Sequence, residues 1–332
     1  MHRRLILATG IIVATSLCSD VPAQADNFRD AAEAINATIR ANHYRRTELD
    51  GAPYRQIEHD VIALGERATS AEQFIESFNA LWRKGPFSHV SLRKAQESAA
   101  QRYARFDTEM AGPQAVNLAW QGNVAILTVN TMSGADTIEA IHAAYEQIVS
   151  RKAAKLIIDL RRNDGGAFAV VPLVGHLIAK PIDAGVFVVG SWYADHRTPP
   201  GSADFASARP WRGYSVRAFQ ADVLTRPLTS YRIDPLRPHF QGPVLVLTSA
   251  RSLSAAEIAA DALKSLGRAK IVGEKTPGAV LSSKLFDIPG GFHLRVPIAD
   301  YYSITGARLE GSGVTPDIAV SSDQALDVAL ED

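Results

Sequence analysis

A serine at the junction of a predicted strand and a predicted helix is well placed for nucleophilic chemistry. Ser254 follows the apolar run 244–247 and opens a helical pattern that Gly267 closes. A hydroxyl at that point can be exposed, while the N–H of Ala255 points toward a developing negative charge. The same serine fits a helix N-cap, with Glu257 completing a capping box three residues on. The local pattern alone favours the cap, so a chemical role needs partners from elsewhere in the chain.

Two adjacent glycines, Gly165 and Gly166, follow a second apolar strand predicted over 155–160. Glycines there let the backbone turn sharply and direct N–H groups into a cleft, which would form one half of an oxyanion hole. The alternative is a simple turn between a strand and a helix. Taken alone, the glycine pair favours the turn.

A nucleophilic serine needs a neutral imidazole as its base and a third group that orients the ring. The sequence offers Ser88 and His89 after the first helical segments, and Glu310 in a glycine-rich stretch near the C-terminus. A single histidine or glutamate is more often structural or solvated than catalytic. The hypothesis of serine chemistry therefore requires a fold that brings positions 89, 254 and 310 together.

Other chemistries lack the motifs that they need. The sequence has no His-Glu-x-x-His or Gly-x-Gly-x-x-Gly pattern, and residues 273–276 lack the spacing of a phosphate loop. A Gly-x-Ser-x-Gly elbow is also absent, which disfavours the common α/β-hydrolase arrangement. The 35 basic and 35 acidic side chains give no net charge, so a nucleic-acid partner is not expected. We expect neither a metal nor another cofactor.

The elements that must position these residues are those of an α/β protein. Helical spacing predicts a small helical N-terminal region over 26–110, with helices through Phe28–Ile39 and Ser70–Trp82. Strands then alternate with helices in a core predicted over 111–325, which begins with a βαβ unit. Residues 191–240, rich in Pro, Arg, Ser and Asp, are predicted to be an irregular insertion able to cover a site. The core elements are strands at 124–129, 155–160, 186–189, 244–247 and 270–272, helices around 138–148 and 254–266, and a hairpin over 286–298.

Residues 1–25 have the pattern of a secretory signal peptide. A basic start precedes an apolar stretch over 5–17, and a small-x-small cleavage site lies at 23–25. The stretch is shorter than the ~20 residues of a membrane span, so no stable span is expected after cleavage. The alternative is an uncleaved N-terminal anchor. In either case we expect an extracytoplasmic protein, periplasmic or secreted, whose single cysteine, Cys18, lies in the leader.

Several segments, in order, resemble the S41 peptidases, the tail-specific or C-terminal processing serine proteases. Residues 156–166 are similar to the Leu-Asp-Leu-Arg-x-Asn-x-Gly-Gly strand and turn of that family, and 252–257 to its Ser-x-Ser-x-x-Glu segment. The likeness covers about 28–320 and continues in register at 267–276, 302–306 and 310–317. It implies a crotonase-like (ClpP/crotonase) α/β core and a serine peptidase that cuts peptides or unstructured protein segments.

The resemblance implies that Ser254 is the nucleophile. In the Ser-Lys branch of the family, the catalytic lysine would fall on Ala279, with Lys275 and Lys284 out of register on either side. A lysine base at either flanking position remains an alternative to a histidine base.

The tricorn-like branch of the family, with a Ser-His pair and a glutamate, matches Ser88, His89 and Glu310. The resemblance implies that His89 takes the proton from the serine, while Ser88 and Glu310 orient and stabilise the ring. We expect activity to rise as His89 deprotonates, near its reference pKa of about 6.5. The oxyanion hole would be formed by backbone N–H groups of Ala255 and of Gly165 or Gly166.

Many relatives carry a PDZ domain before the core, but the stretch from His89 to the strand at Val124 is too short to hold one. Selection of a substrate C-terminus through that domain is therefore not implied. The competing function is a non-catalytic module that binds a small apolar ligand in the same cleft. The sequence leaves the natural substrate and the oligomeric state open.

Overall fold

A computed structural model describes residues 28–332 of the chain. Up to residue 175 the elements are α1 (Arg29–Asn42), α2 (Arg46–Leu49), α3 (Ala52–Arg67), α4 (Ala71–Trp82), β1 (Ser91–Lys94), α5 (Ala99–Phe106), β2 (Val116–Gln121), β3 (Val124–Val129), α6 (Ala135–Ser150), β4 (Lys155–Asp159) and α7 (Val170–Gly175). They continue with β5 (Ile182–Val189), α8 (Gly190–Asp195), α9 (Ser202–Phe205), β6 (Arg209–Trp211), α10 (Val216–Val223), β7 (Leu228–Ile233), β8 (Val244–Thr248), α11 (Ala255–Ser265), β9 (Lys270–Gly273), β10 (Ser282–Ile288), β11 (Phe292–Ser303), β12 (Ile318–Ala319) and α12 (Ala325–Glu331). None of these helices combines the length and apolar character needed to cross a membrane. The leader predicted over 1–25 lies outside the described residues.

The strands form two sheets, which confirms the predicted α/β class. Sheet 1 has the order β2-β3-β4-β8-β9-β12 and is parallel except for the β2–β3 pair. Sheet 2 has the order β1-β11-β5-β7-β6, with β10 also paired to β11, and is antiparallel except for β6–β7. The predicted hairpin is the β10–β11 pair, whose turn contains Gly290 and Gly291 at φ of 85° and 77°.

Sheet 1 is buried on both faces because its apolar residues alternate between two cores. In β4, Leu156 and Ile158 belong to the main core with α6, α7 and α11, whereas Ile157 packs with Ala325 and Ala329 of α12. The main core also contains side chains of β5, β7 and β11, so sheet 2 closes it from the other side. The carboxyl ends of β4 and β8 lie side by side in the parallel sheet, and both predicted loops of the site start there.

The N-terminal helices pack against sheet 2 rather than sheet 1. Phe28, Phe74 and Phe78 share a second apolar core with Phe292 and Leu294 of β11. The region predicted as helical over 26–110 also contributes β1, which pairs with β11. This pairing fixes the segment that carries Ser88 and His89 to the second sheet.

The prediction that 191–240 is an irregular insertion is wrong. That segment contains two strands and helical turns, and β7 is an interior strand between β5 and β6. The strand pattern is not recognisable in the sequence because Thr229 and Ser230 are polar, although both are buried in the sheet. The segment contributes to the main core through Phe219 and Tyr231, so it is part of the fold.

Candidate active site

Ser254 lies at a strained turn between β8 and α11. Its φ of 55° and ψ of −112° lie where residues other than glycine rarely occur. Such a conformation costs on the order of 1–3 kcal/mol and persists only where its surroundings fix it. Within residues 28–332, the Ser254 hydroxyl makes no capping hydrogen bond to α11 and lies instead 3.3 Å from His89 Nε2.

Glu257 fixes this turn from within the protein. Its carboxylate is fully buried and accepts a hydrogen bond from the Ser254 N–H at 2.9 Å, the backbone half of the predicted capping box. It also accepts hydrogen bonds from Thr276 Oγ1 at 2.6 Å, the Gly278 N–H at 2.7 Å and the Ala279 N–H at 2.9 Å. One carboxylate therefore holds the serine turn against the loop that follows β9.

His89 stands at the end of a short turn between α4 and β1 and has a positive φ of 61°. The turn is anchored by Phe87, which is buried and whose ring centroid lies 5.1 Å from that of Trp82 and 4.2 Å from that of His43. Ser88 Oγ lies 2.6 Å from His89 Nδ1. The imidazole is therefore held between two serine hydroxyls, one on each nitrogen.

Burial lowers the pKa of His89 to about 3, and the positive charge of Arg295 adds to this effect. The ring is therefore neutral at neutral pH and carries one proton. If Nε2 accepts from the Ser254 hydroxyl, Nδ1 must carry that proton and donate it to Ser88 Oγ. The pKa of His89 thus lies well below its reference value of about 6.5.

Glu310 contacts the Ser-His turn through the backbone of Ser88. Its carboxylate accepts hydrogen bonds from the Ser88 N–H at 3.0 Å and from the Val280 N–H at 2.9 Å. Burial raises the pKa of Glu310, and these hydrogen bonds partly oppose that rise. The predicted residues Ser254, His89, Ser88 and Glu310 are thus brought together, with Glu310 bound to the turn rather than to the imidazole.

The alternative lysine bases are not bonded to the serine. Lys275 is exposed, and Lys284 lines the cleft with its ammonium 5.7 Å from the centre of the Phe286 ring. Ala279 occupies the position of the family lysine and donates its N–H to Glu257. In the described part of the chain, the side chain hydrogen-bonded to the Ser254 hydroxyl is that of His89.

The two predicted glycines differ in their hydrogen bonds. The Gly165 N–H donates to Asn163 Oδ1 at 2.9 Å, so the alternative that it serves the oxyanion hole is not supported. Within residues 28–332, neither Gly166 nor Ala255 has a hydrogen-bond acceptor for its N–H. A side chain at Gly165 would place its Cβ 2.8 Å from the Ser254 Cβ, so the close approach of the two turns requires glycine. Gly166 and Ala255 remain as the candidate donors.

These residues open onto a cleft of about 450 Å³. One group of lining residues is aromatic: Phe168, Phe187, Phe219 and Tyr231. Another is cationic: Arg93, Arg102, Lys284 and Arg295. Residues 28–332 contain no cluster of three or more His, Cys, Asp or Glu side chains suited to hold a metal ion. A serine hydroxyl, a neutral imidazole and backbone N–H donors are the groups that acyl transfer through a serine nucleophile requires.

Sequence reasoning missed the roles of four residues at this site. The hydrogen-bonding role of Glu257 beyond the helix cap depends on a loop some twenty positions away, so local spacing could not predict it. The role of Asn163 could have been inferred, because an Asn two residues before a glycine commonly accepts from its backbone. Arg93 and Arg295 meet through the β1–β11 register, which no local pattern specifies.

Comparison with known proteins identifies the family. The sequence model of Peptidase family S41 matches residues 123–320, more than half of the chain. This chain therefore belongs to family S41, and the resemblance drawn from its motifs is confirmed. Membership also supports the predicted class, a serine-type peptidase.

Two curated relatives and one solved structure illustrate the likeness. The carboxy-terminal-processing protease of Bartonella bacilliformis is 37% identical over 199 residues, which cover 60% of this chain and 38% of that protein. The chloroplastic C-terminal processing peptidase of Tetradesmus obliquus is 27% identical over 197 residues, 59% of this chain and 34% of that protein. The chain thus matches little more than a third of the length of these relatives.

The crystal structure of a putative peptidase from Parabacteroides merdae has a similar fold over most of its length. It superposes with a TM-score of 0.60 at 14% identity and covers 92% of this chain and 96% of that one. At this identity the likeness concerns the fold, which includes the N-terminal helices as well as the family S41 segment.

Proposed function

We propose that this chain is a serine endopeptidase with Ser254 as nucleophile and His89 as general base. The observation that carries the proposal is the 3.3 Å contact between Ser254 Oγ and His89 Nε2, which joins residues 165 positions apart. Membership of family S41 supports it. A module that merely binds a ligand would need neither a strained serine nor a neutral imidazole against it.

The first half of the reaction forms an acyl-enzyme. Ser254 Oγ attacks the carbonyl carbon of the scissile bond as its proton passes to His89 Nε2. The negative charge on the carbonyl oxygen is stabilised by the N–H groups of Ala255 and Gly166, each worth about 3–4 kcal/mol in measured hydrolases. The C–N bond then breaks as His89 returns the proton to the leaving amine.

The second half hydrolyses the ester. Water attacks the acyl carbon and gives its proton to His89, and the bond to Ser254 Oγ breaks as that oxygen regains a proton. Ser88 and Glu310 are positioning residues in this proposal. Ser88 accepts the Nδ1–H and so selects the tautomer in which Nε2 is unprotonated. Glu310 holds the backbone of Ser88 in place.

The test is the intact mass of the purified protein after exposure to a fluorophosphonate. We expect one adduct in the native chain and none in Ser254→Ala or His89→Ala. Ser283→Ala is the matched control, because Ser283 also lines the cleft but lies outside this hydrogen-bonded chain. An adduct that survives in Ser254→Ala would exclude the assignment, and a folded native protein without an adduct would favour the ligand-binding module.

The substrates proposed are peptides or unstructured protein segments, since these can enter the cleft in extended form. We further propose a crotonase-like core over 111–325, an N-terminal region over 26–110 that supplies the Ser-His pair, and a signal peptide over 1–25 that directs the chain out of the cytoplasm. Support for the leader comes from its basic, apolar and small-residue segments. N-terminal sequencing of protein secreted by the native host tests it, with residue 26 expected as the first residue.

A further inference from the structure

Two arginines from different parts of the chain lie side by side on sheet 2 at the cleft. Residue pairing between β1 and β11 places Ser91 opposite Arg295, and Arg93 opposite His293. Alternate residues of paired strands share a face, so Arg93 and Arg295 are diagonal neighbours on one side of the sheet. Both line the cleft that holds Ser254.

The cleft carries more positive than negative charge. Its walls hold the four cations named above against two carboxylates, Glu109 and Asp164. Glu109 is bound by Arg102 through two hydrogen bonds of 2.7 Å, so its charge is already matched. Within residues 28–332, the guanidinium groups of Arg93 and Arg295 form no hydrogen bond or ion pair, and both residues are exposed and line the cleft.

This arrangement brings like charges close together. The pKa of Arg93 is lowered by burial and by the positive charges of Arg102 and Arg295, and the negative charge of Glu109 opposes part of that shift. A carboxylate placed between them would relieve the repulsion and could accept paired N–H donors from each planar guanidinium.

We propose that Arg93 and Arg295 form a subsite for a carboxylate of the substrate, on the leaving-group side of the scissile bond. The inference rests on the proposed function. We place the subsite on the leaving-group side because of His89. This residue gives its proton to the leaving amine, and the charge of Arg295 contributes to the lowered pKa of its ring. An anion bound beside Arg295 therefore belongs to the part of the substrate that departs.

The aromatic residues indicate where the other half of the substrate lies. Phe168 follows the candidate oxyanion glycine Gly166 by two positions, and its ring centroid lies 5.6 Å from that of Phe219. An apolar side chain on the acyl side suits these walls. The cleft thus favours an apolar residue before the cut and a carboxylate after it.

The carboxylate could be the free C-terminus of the substrate or an Asp or Glu side chain. Matched peptides separate the two sources. All the peptides share one randomised apolar core. The first pair differs at the C-terminus, which is a free acid in one member and an amide in the other. The second pair is amidated in both members and differs by Glu or Gln after the core. Competitive cleavage followed by mass spectrometry gives the ratio of kcat/KM within each pair.

We expect the native protein to prefer the carboxylate member of one pair by about tenfold or more, the value of one charge-assisted hydrogen bond. Arg93→Gln and Arg295→Gln should reduce that ratio toward one by raising KM for the carboxylate member. Arg217→Gln is the matched control, because it removes an exposed arginine of α10 outside the cleft and should leave the ratio unchanged.

Protection of Ser254 from the fluorophosphonate by the same peptides gives a second readout that needs no cleavage. Suppose that Ser254 is labelled, but that both members of each pair protect it equally and are cleaved equally in competition. The carboxylate subsite is then wrong, while the peptidase proposal stands. An equal loss of kcat/KM for both members of a pair in Arg295→Gln would also contradict the carboxylate subsite, because it would indicate a general structural effect. Without labelling of Ser254, the proposed function fails and the inference with it.

Discussion

At the scale of single residues, Gly165 controls how closely the turn after β4 approaches Ser254. It has a φ of 93°, and a Cβ there would meet the Ser254 Cβ at 2.8 Å and the Leu253 carbonyl oxygen at 3.0 Å. We expect Gly165→Ala to displace Ser254 and lower kcat/KM by about 10²-fold or more, since small misplacements of reacting groups have effects of that size. The measurement is hydrolysis of a fluorogenic peptide.

Gly112→Ala is the control for backbone strain. Gly112 has nearly the same φ, 91°, but no atom lies within 4 Å of the Cβ that alanine would add. Both variants should lose stability through backbone strain, Gly165→Ala more than Gly112→Ala because of its close contacts, and Gly165→Ala alone should lose activity. Equal activity in the two variants would show that the approach of the turns is not critical.

The ionisation of His89 predicts the pH dependence of the reaction. The proposed base must be neutral, and with the pKa of His89 lowered to about 3 the neutral form predominates at every pH above that value. We therefore expect kcat/KM to be flat within about twofold from pH 5 to 8, with loss only toward pH 3. Circular dichroism at each pH separates this loss from acid unfolding. An acidic limb near pH 6.5 would mean that the imidazole is solvated.

At the scale of elements, the Glu257 carboxylate joins α11 to the loop after β9. Glu257→Ala would leave the N–H groups of Ser254, Gly278 and Ala279 without their acceptor in a buried site. We expect a loss of about 3 kcal/mol or more in the free energy of unfolding, together with loss of fluorophosphonate labelling. Glu274→Ala is the matched control, because Glu274 also accepts two backbone hydrogen bonds but lies at an accessible turn. Similar losses in both variants would contradict the special role of Glu257.

Elements with a clear hydrophobic period were predictable, whereas elements defined by tertiary pairing were not. The helix after Ser254 and the β10–β11 hairpin follow from apolar spacing and glycine position, and the structure confirms both. Strand β7 was missed because its buried Thr229 and Ser230 resemble a polar loop in sequence. Burial between β5 and β6, not local composition, makes that segment a strand.

The candidate site likewise has features that the sequence predicts and features that depend on tertiary structure. The types and positions of Ser254, His89 and Glu310 were predictable from a family resemblance, but their contacts depend on how the N-terminal helices dock. Two features could not be read from sequence at all: the depressed pKa of His89, which comes from burial, and its proximity to Arg295, which comes from strand register.

At the scale of the whole molecule, Arg308 ties three parts of the fold together. Its guanidinium donates to Asp300 of β11 at 2.7 Å, to the Tyr44 hydroxyl at 2.7 Å and to Glu48 at 3.3 Å. Tyr44 and Glu48 belong to the N-terminal helical region, and Arg308 lies two residues before Glu310. The docking that brings His89 to Ser254 therefore depends in part on this partly buried network.

Removing Arg308 should make stability depend on pH in a defined direction. Burial raises the pKa of Asp300 to about 6 even with Arg308 beside it, and the pKa should rise further in Arg308→Met. Because the folded state then holds the Asp300 proton more tightly than the unfolded chain, where the pKa is about 3.9, the variant loses stability as pH rises through the folded pKa. Urea unfolding at pH 5, 6.5 and 8 should show a deficit that grows with pH and reaches about 3 kcal/mol or more at pH 8. Arg308→Met combined with Asp300→Asn should remove that pH dependence, and a deficit equal at all three values would show that Asp300 is not left as an unpaired charge.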